Sequence, residues 1–388
     1  MGPTVMAARL PSAIFGALAI PALYGLARSL YGRAVGISAA LILAGMGVHL
    51  HFSRLGMNNI VDPTFLVAAL WAARRERWAL AGILLGAAQL FYPAARLVPV
   101  IVLAALIFWR AGWRAAAITG AGMLIAAWPA TWHLVAHGLP LTTRLADVGL
   151  AGPVDVWAQV WRATFAYVQV PDTLSDASAA FYGGTAPLVG YAAAVPFLLG
   201  LGAIRFRRGR LLILWVGAAA LFGGMLLRDP PAYSRYVIAL PAAAMLIALG
   251  LRALPGIGAR WGIVLCAAVM ALEIVLYFGG HLRIMDRFGP KTAQLNAIAG
   301  AVRDAEPGGA CLWRDPDADD PAHSSIVSYL AAGVPIPACP IRDALLYLAV
   351  PARADALSIF EDEAGEWVIY TDVRGQIVLT GFRPEFTK

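Results

Sequence analysis

Residues 7–33 read A-A-R-L-P-S-A-I-F-G-A-L-A-I-P-A-L-Y-G-L-A-R-S-L-Y-G-R, and no charged side chain interrupts the run from Leu10 to Ala27. A stretch of this length and polarity fits a transmembrane helix, which needs roughly 17–25 mostly apolar residues. Comparable runs recur along the first 280 positions, centred near residues 17, 42, 67, 85, 103, 123, 196, 219, 245 and 270. They predict an all-α polytopic membrane protein with about ten spans. Composition agrees: 60% of the 388 residues are hydrophobic and 14% charged, against about 25% charged in an average soluble domain. That is too little polar surface to enclose a soluble core of this size.

Short cytoplasmic loops carry the excess of Lys and Arg, and the connections alternate accordingly. Arg28 and Arg33, Arg74, Arg75 and Arg77, Arg110 and Arg114, Arg205 to Arg210, and Arg252 and Arg260 fall on one side, which is read as cytoplasmic. Arg54, Arg96, Arg144, Arg162, Arg228 and Arg235 fall on the other and need a reason beyond topology. The same count places the C-terminal hundred residues outside, and the N-terminus too, so at least one further helix is expected upstream of Met1. Residues 1–280 hold 20 Arg and 8 acids, whereas residues 281–388 are net acidic within an overall charge of +7. The basic character therefore reflects topology beside anionic lipid, and no stripe of a nucleic-acid binder is present.

From residue 281 the apolar runs shorten, which predicts a separate small α/β extracytoplasmic domain over 281–388 after a membrane domain over 1–280. Strands are expected at Ala310 to Trp313, Val334 to Ala338, Trp367 to Thr371 and Gln376 to Thr380. Helices are expected near 291–304, 323–332 and 342–349. Cys311 and Cys339 could pair in an oxidising compartment, while Cys266 lies in a span. Between the sixth and seventh spans, a helical stretch near Val154 to Tyr167 carries Trp157, Trp161, Phe165 and Tyr167, the make-up of an interfacial helix.

The chemistry-bearing residues cluster at the outer helix ends. In V-H-L-H-F-S-R-L-G-M-N-N-I-V-D-P, from Val48, the polar residues Ser53, Arg54, Asn58, Asn59 and Asp62 enter the third span together. Asp62 before Pro63 has the pattern of an N-cap followed by proline at the first helical position, a place a catalytic carboxylate can also occupy. Arg54, Arg96 and Arg235 stand at helix mouths where positive charge is disfavoured, and a guanidinium fork suits a lipid phosphate. Tyr92 and Tyr236 flank them. Glu273 lies within the tenth span, where a lone carboxyl costs on the order of 2.5–3.5 kcal/mol, so it must face protein, protonated or paired. The pairs His49/His51 and His133/His137 lack a third ligand for zinc. The run Asp315, Asp317, Asp319, Asp320 lacks the Gly and Glu of a calcium loop. No metal is assigned.

The run Ala7 to Arg33, then H-F-S-R with Asp62, L-F-Y-P-A-A-R-L-V-P from Leu90, and S-R-Y-V-I-A-L-P from Ser234, resemble in order the glycosyltransferase family 39 group of C-type glycosyltransferases. That group includes protein O-mannosyltransferases and aminoarabinose lipid A transferases. The resemblance implies an inverting transfer at the periplasmic face of a bacterial inner membrane, from a polyprenyl-phosphate-linked sugar to a protein, lipid A or glycan acceptor. It makes Asp62 the candidate catalytic carboxylate and places Arg96 and Arg235 near the donor phosphate, with Arg54, Tyr92, Tyr236 and Glu273 as further substrate-binding candidates. No cofactor is implied, and a divalent metal has no support in the motifs. The family's principal acidic motif lies in a loop that would precede Met1, so an N-terminally truncated chain is expected. The competing readings are a lipid-linked sugar flippase and an inactive scaffold of the same fold.

Overall fold

A computed structural model describes residues 5–137, 155–169, 182, 186–202, 209–227, 232–256, 258–282, 297–298, 301–302, 310–313, 346–349, 365–371 and 377–384. The chain divides into two compact units: residues 9–285, and residues 286–388 together with 1–8.

The larger unit is helical. Its elements are α1 (Val5–Tyr31), α2 (Arg33–Gly45), α3 (Gly47–Arg54), α4 (Val61–Arg74), α5 (Trp78–Ala88), α6 (Val98–Trp109), α7 (Gly112–Ala136), α8 (Val156–Phe165), α9 (Ala194–Leu201), α10 (Gly209–Ala220), α11 (Leu240–Arg252) and α12 (Ala259–Leu276). Each expected span centre falls on or beside one of them. Among the described residues four helices are long and apolar enough to cross a membrane, or five if the pair α2 and α3, bent by 58° at Met46, is one span. Three shorter apolar helices accompany them. At the seventh expected span, the described helix α9 is only eight residues long.

Two helices mark the extremes of environment. The Tyr233–Arg252 span is 83% buried, whereas the spans of α7 and α12 are each 22% buried. The first is the centre of the bundle, and the other two turn most of their apolar surface outward, as lipid-facing helices do. Association of helices in lipid relies on close packing through small residues. On α5, Gly82 and Gly86 lie one turn apart, and a methyl group at either would strike the α7 backbone at Thr119 and Met123. Gly200 of α9 and Gly250 of α11 leave the same kind of backbone contact.

α1 contains Pro11 and Pro21, and side chains of α3 and α4 bond its backbone. Thr64 Oγ1 donates to the Phe15 carbonyl at 2.8 Å, and His49 Nε2 reaches the Gly16 carbonyl at 3.2 Å. Ser12 Oγ donates to the Met57 carbonyl at 2.8 Å. These bonds tie the first half of α1 to α3, the following loop and the start of α4.

In the second unit, strands β1 (Ala310–Trp313), β2 (Leu346–Ala349), β3 (Gly365–Thr371) and β4 (Ile377–Pro384) form one sheet in the order β1-β2-β4-β3. β1 and β2 are parallel, and the other pairings are antiparallel. The expected helix at 342–349 is corrected: Leu346–Ala349 is a strand, since a short continuous apolar run is compatible with either state. The partner strand supplies the backbone bonds that decide it. Cys311 is disulfide-bonded, and Cys266 is buried and free. Cys339, the expected strand at Val334 to Ala338, the helix at 323–332 and the acidic run from Asp315 lie outside the described residues.

Replacing Gly82 with Leu is expected to lower the melting temperature in detergent, since overpacking costs about 1–3 kcal/mol. Gly120→Leu, on the same helix pair but with no atom within 4 Å of its Cβ direction, leaves it unchanged. Equal melting of the two variants would refute the packing assignment.

Candidate functional site

The site is built on the break between α3 and α4. Residues Asn58–Ile60 form a 3-10 turn, and both asparagines send their side chains to distant carbonyls. Asn58 Nδ2 donates to Phe91 O at 2.5 Å, and Asn59 Nδ2 donates to Ser234 O at 3.0 Å. One short turn thereby fastens the segment Phe91–Leu97 and the segment Tyr233–Tyr236 to the mouth of α4. Phe15, Phe65 and Phe91 close one flank, with ring centroids 5.7–5.8 Å apart.

Asp62 is not the cap that its sequence pattern describes. The 3-10 turn starts the helical bonding earlier, so α4 begins at Val61 and Asp62 lies inside its first turn, with no side-chain cap bond present. Its side chain is 1% exposed. Neither carboxyl oxygen has a hydrogen-bond partner among the described residues, and the Asn59 Oδ1 is orphaned in the same way. The nearest help is the Ala95 amide, which lies toward the carboxyl but donates to the Tyr92 carbonyl at 3.0 Å. Buried polar groups are nearly always paired, and each exception needs an explanation. Among the described residues, three buried acceptor oxygens of this segment, two of Asp62 and one of Asn59, have no donor.

Each of the two segments tied to this mouth carries an arginine. Arg96 is exposed on the Pro93–Leu97 turn, and Tyr92 beside it is half-buried. Gln89 holds that turn from below, donating from Nε2 to the Ala95 carbonyl at 2.9 Å. Arg235 follows Ser234, and a methyl group at Gly223 would meet its Cβ at 3.3 Å. Among the described residues neither arginine pairs with a carboxylate; the ion pair found there is Arg383 with Glu366, in the sheet.

The other candidates are placed elsewhere. The Tyr236 ring is buried and its hydroxyl donates to the Ala163 carbonyl at 2.7 Å, so it braces α8 against the bundle. Glu273 Oε1 accepts the Ala192 amide at 3.0 Å. Its carboxyl lies over Gly190, whose positive φ of 81° and lack of a Cβ leave room for it. Glu273 faces protein as expected, but its partner is a loop amide rather than an arginine. Arg54 lies 5.2 Å over the Phe278 ring. The segments that carry Tyr92, Arg96 and Arg235 are thus tied to the mouth of α4 through Asn58 and Asn59, while Arg54 and Glu273 lie at α12 and the turn that follows it.

Other side chains lie near that end. His51, Tyr182, Tyr277 and His281 form a buried box: the His281 ring stacks on Tyr182 at 4.4 Å and on Tyr277 at 5.5 Å, and Tyr277 Oη meets His51 Nδ1 at 3.3 Å. Burial, then Tyr233, Glu273 and Tyr277, push the Tyr182 phenol well above its ordinary range. Sequence reasoning left Arg9 unassigned, although its place at the arginine-poor end of the first span is the signal that singled out Arg54. On α8, Trp157, Trp161 and Phe165 are exposed, but Tyr167 is turned inward, its hydroxyl donating to Val216 O at 2.8 Å. Among the described residues no three His, Cys, Asp or Glu side chains converge as a metal site.

Residues 1–134 match the family model of dolichyl-phosphate-mannose-protein mannosyltransferases. The fold is similar to that of ArnT from Cupriavidus metallidurans, in the apo state (TM-score 0.63, 14% identity) and bound to undecaprenyl phosphate (TM-score 0.64, 13% identity). Each comparison covers 96% of this chain and 83% of that one. No curated protein matches the sequence. The family match identifies a glycosyltransferase, and the structural matches show the C-type glycosyltransferase fold.

Because the Asp62 carboxyl has no hydrogen-bond partner among the described residues, Asp62→Asn is expected to melt at or above the temperature of the parent. Asn59→Ala removes a buried bond and orphans the Ser234 carbonyl, a loss of about 1–3 kcal/mol, and should melt lower. Thermal unfolding followed in detergent checks both, and a marked loss of stability in Asp62→Asn would overturn the assignment of its carboxyl as unused by the fold.

Proposed function

We propose that this protein transfers a sugar from a polyprenyl-phosphate-linked donor to an acceptor hydroxyl at the periplasmic face of a bacterial inner membrane, with inversion at the anomeric carbon. The observation that carries the reading is the Asp62 carboxyl, buried at the mouth of α4 with no donor for either oxygen among the described residues and next to a turn tied to the segments that carry Arg96 and Arg235. A fold does not hold such a group for its own stability.

In the proposed reaction the acceptor oxygen attacks the anomeric carbon, and its proton passes to Asp62 as general base. The bond from that carbon to the phosphate oxygen breaks, and the polyprenyl phosphate leaves with the electron pair. Negative charge grows on the phosphate as it departs, and Arg96 and Arg235 stabilise it with charged donors already in place. One carboxylate acts in a single displacement, unlike the paired carboxylates of a retaining hydrolase. The donor carries its own leaving group, so the scheme needs no group-carrying cofactor. The ArnT structure with undecaprenyl phosphate supports a lipid phosphate as the class of leaving group. The acceptor is a protein, lipid A or a glycan, and the second unit lies on the periplasmic side in this reading.

Proteoliposomes loaded with radiolabelled polyprenyl-phosphate sugars test the proposal. Asp62→Asn is expected to lower transfer by about 10²–10⁴-fold, the usual share of a general base, while the protein stays folded. Arg96→Ala and Arg235→Ala should each lower it by about 10²–10³-fold, and the product should carry the opposite anomeric configuration by NMR. Full activity of Asp62→Asn would sink the mechanism. Movement of intact donor across the bilayer without transfer would favour a flippase.

A further inference from the structure

The end of α7 carries two histidines that the reaction above does not use. The span of α7 is 22% buried, and from Thr131 to His137 every described side chain is exposed. Pro129 lies inside the helix and has no amide to give to the turn before it. Thr131 Oγ1 returns one bond, to the Ala127 carbonyl at 3.2 Å. Trp128 and Trp132 stack at 5.9 Å and are both more than half exposed, as aromatic rings are where a span reaches the membrane–water interface. The last turns of α7 therefore meet solvent with little to hold them.

His133 and His137 are one helical turn apart, so their side chains share a face, and the ring centroids lie 4.3 Å apart. His137 Nδ1 meets the His133 carbonyl at 2.8 Å. A carbonyl only accepts, so this nitrogen carries the proton and Nε2 is the atom left to bind a ligand. Metal-ligating histidines are arranged in this way, with the second ring nitrogen donating to a carbonyl or carboxylate and so fixing the tautomer. His133 is exposed, which opens its ring to solvent. Both residues stand at the C-terminal end of α7, where unpaired carbonyls favour positive charge. A cation bound roughly 2.0–2.1 Å from an imidazole nitrogen lies about 3.2 Å from the ring centre. Two rings 4.3 Å apart then meet it at close to a right angle when both lone pairs point at it, as cis ligands of tetragonal copper(II) do.

We infer that His133 and His137 form a metal site, outside the Asp62 mouth, that takes one divalent transition-metal ion, copper(II) in preference to zinc, with water in the remaining positions. Two ligands are too few for a closed structural zinc site, which uses four, and among the described residues no third ligating side chain converges on them. An open imidazole pair selects by intrinsic affinity, and copper(II) stands highest in that order. The bound ion bridges residues 133 and 137 and pins a turn that neighbouring elements leave uncovered. Neither histidine belongs to the Asp62 mouth, so metal binding and sugar transfer stand or fall separately.

Copper(II) titrated into the full, tag-free chain in phosphatidylcholine nanodiscs, and followed by electron paramagnetic resonance, tests this. One ion should bind per chain and show splitting from two nitrogens. His133→Gln and His137→Gln should each lower the affinity at least about ten-fold, the smallest loss expected when even a hydrogen-bond partner of a ligand is removed. His323→Gln should bind copper as the parent does. Both histidines are exposed, so the metal-free variants should melt with the metal-free parent, and copper should raise the melting temperature of the parent but not of His133→Gln/His137→Gln. Unchanged affinity in that double variant, or splitting from a single nitrogen in the parent, would overturn the site. Zinc displacing bound copper at equal concentration would overturn the preference for copper and leave zinc as the ligand.

Discussion

The mouth of the bundle depends on one hydrogen bond, from the Asn59 side chain to the carbonyl of Ser234, between positions 175 residues apart. Non-helical backbone at membrane depth survives only where protein or a water-filled cavity satisfies it. The turn Asn58–Ile60 meets that condition through its own side chains, one to Phe91 and one to Ser234. In doing so it fixes where α4 begins, and hence that Asp62 lies inside its first turn rather than at its cap. The bond from Asn59 also ties the segment that carries Arg235 to this mouth.

How far this was legible in the sequence varies with the range of the interaction that decides each feature. Span positions depend on local hydropathy, and all ten expected centres meet helices. The break at Asn58–Ile60 depends on partners at 91 and 234, so the local pattern Asp-Pro was read as a cap when the helix had already started. Leu346–Ala349 fails for the same reason, because its strand state is set by pairing to β1 and β4. At the site, the sequence brought out Asp62, Tyr92, Arg96 and Arg235 one by one, through position on the arginine-poor side or family likeness. That their segments meet at one turn could not be read, since Asn58 and Asn59 are the links and an asparagine at a membrane edge carries no partner in its name.

Glu273 and Tyr236 show the converse. Glu273 was read as a substrate candidate in a span where a lone carboxyl is costly, and Tyr236 because it stands beside Arg235 at a helix mouth. In the structure each bonds a backbone group. Glu273 accepts the Ala192 amide beside Gly190, where the chain folds back before α9, and Tyr236 bonds the Ala163 carbonyl near the end of α8. A buried polar side chain in lipid thus has two physical justifications, a backbone group to satisfy or a ligand to receive, and the bond made or missing distinguishes them.

Two spans end in the same way and differ in what fills them. Leu221–Met225 and Tyr277–His281 are both π-helical turns, and both contain Phe-Gly-Gly, at 222–224 and at 278–280. At the first turn the glycines are covered: Tyr236 and Ala163 press on Gly224, and Arg235 lies beside Gly223. At the second, nothing described approaches Gly279 or Gly280. Bare backbone is useful only where something must come close. The first turn uses it to seat α8 and the Arg235 segment, which builds the Asp62 mouth. The second turn has the same geometry with its place open, and Arg54 stands at its edge.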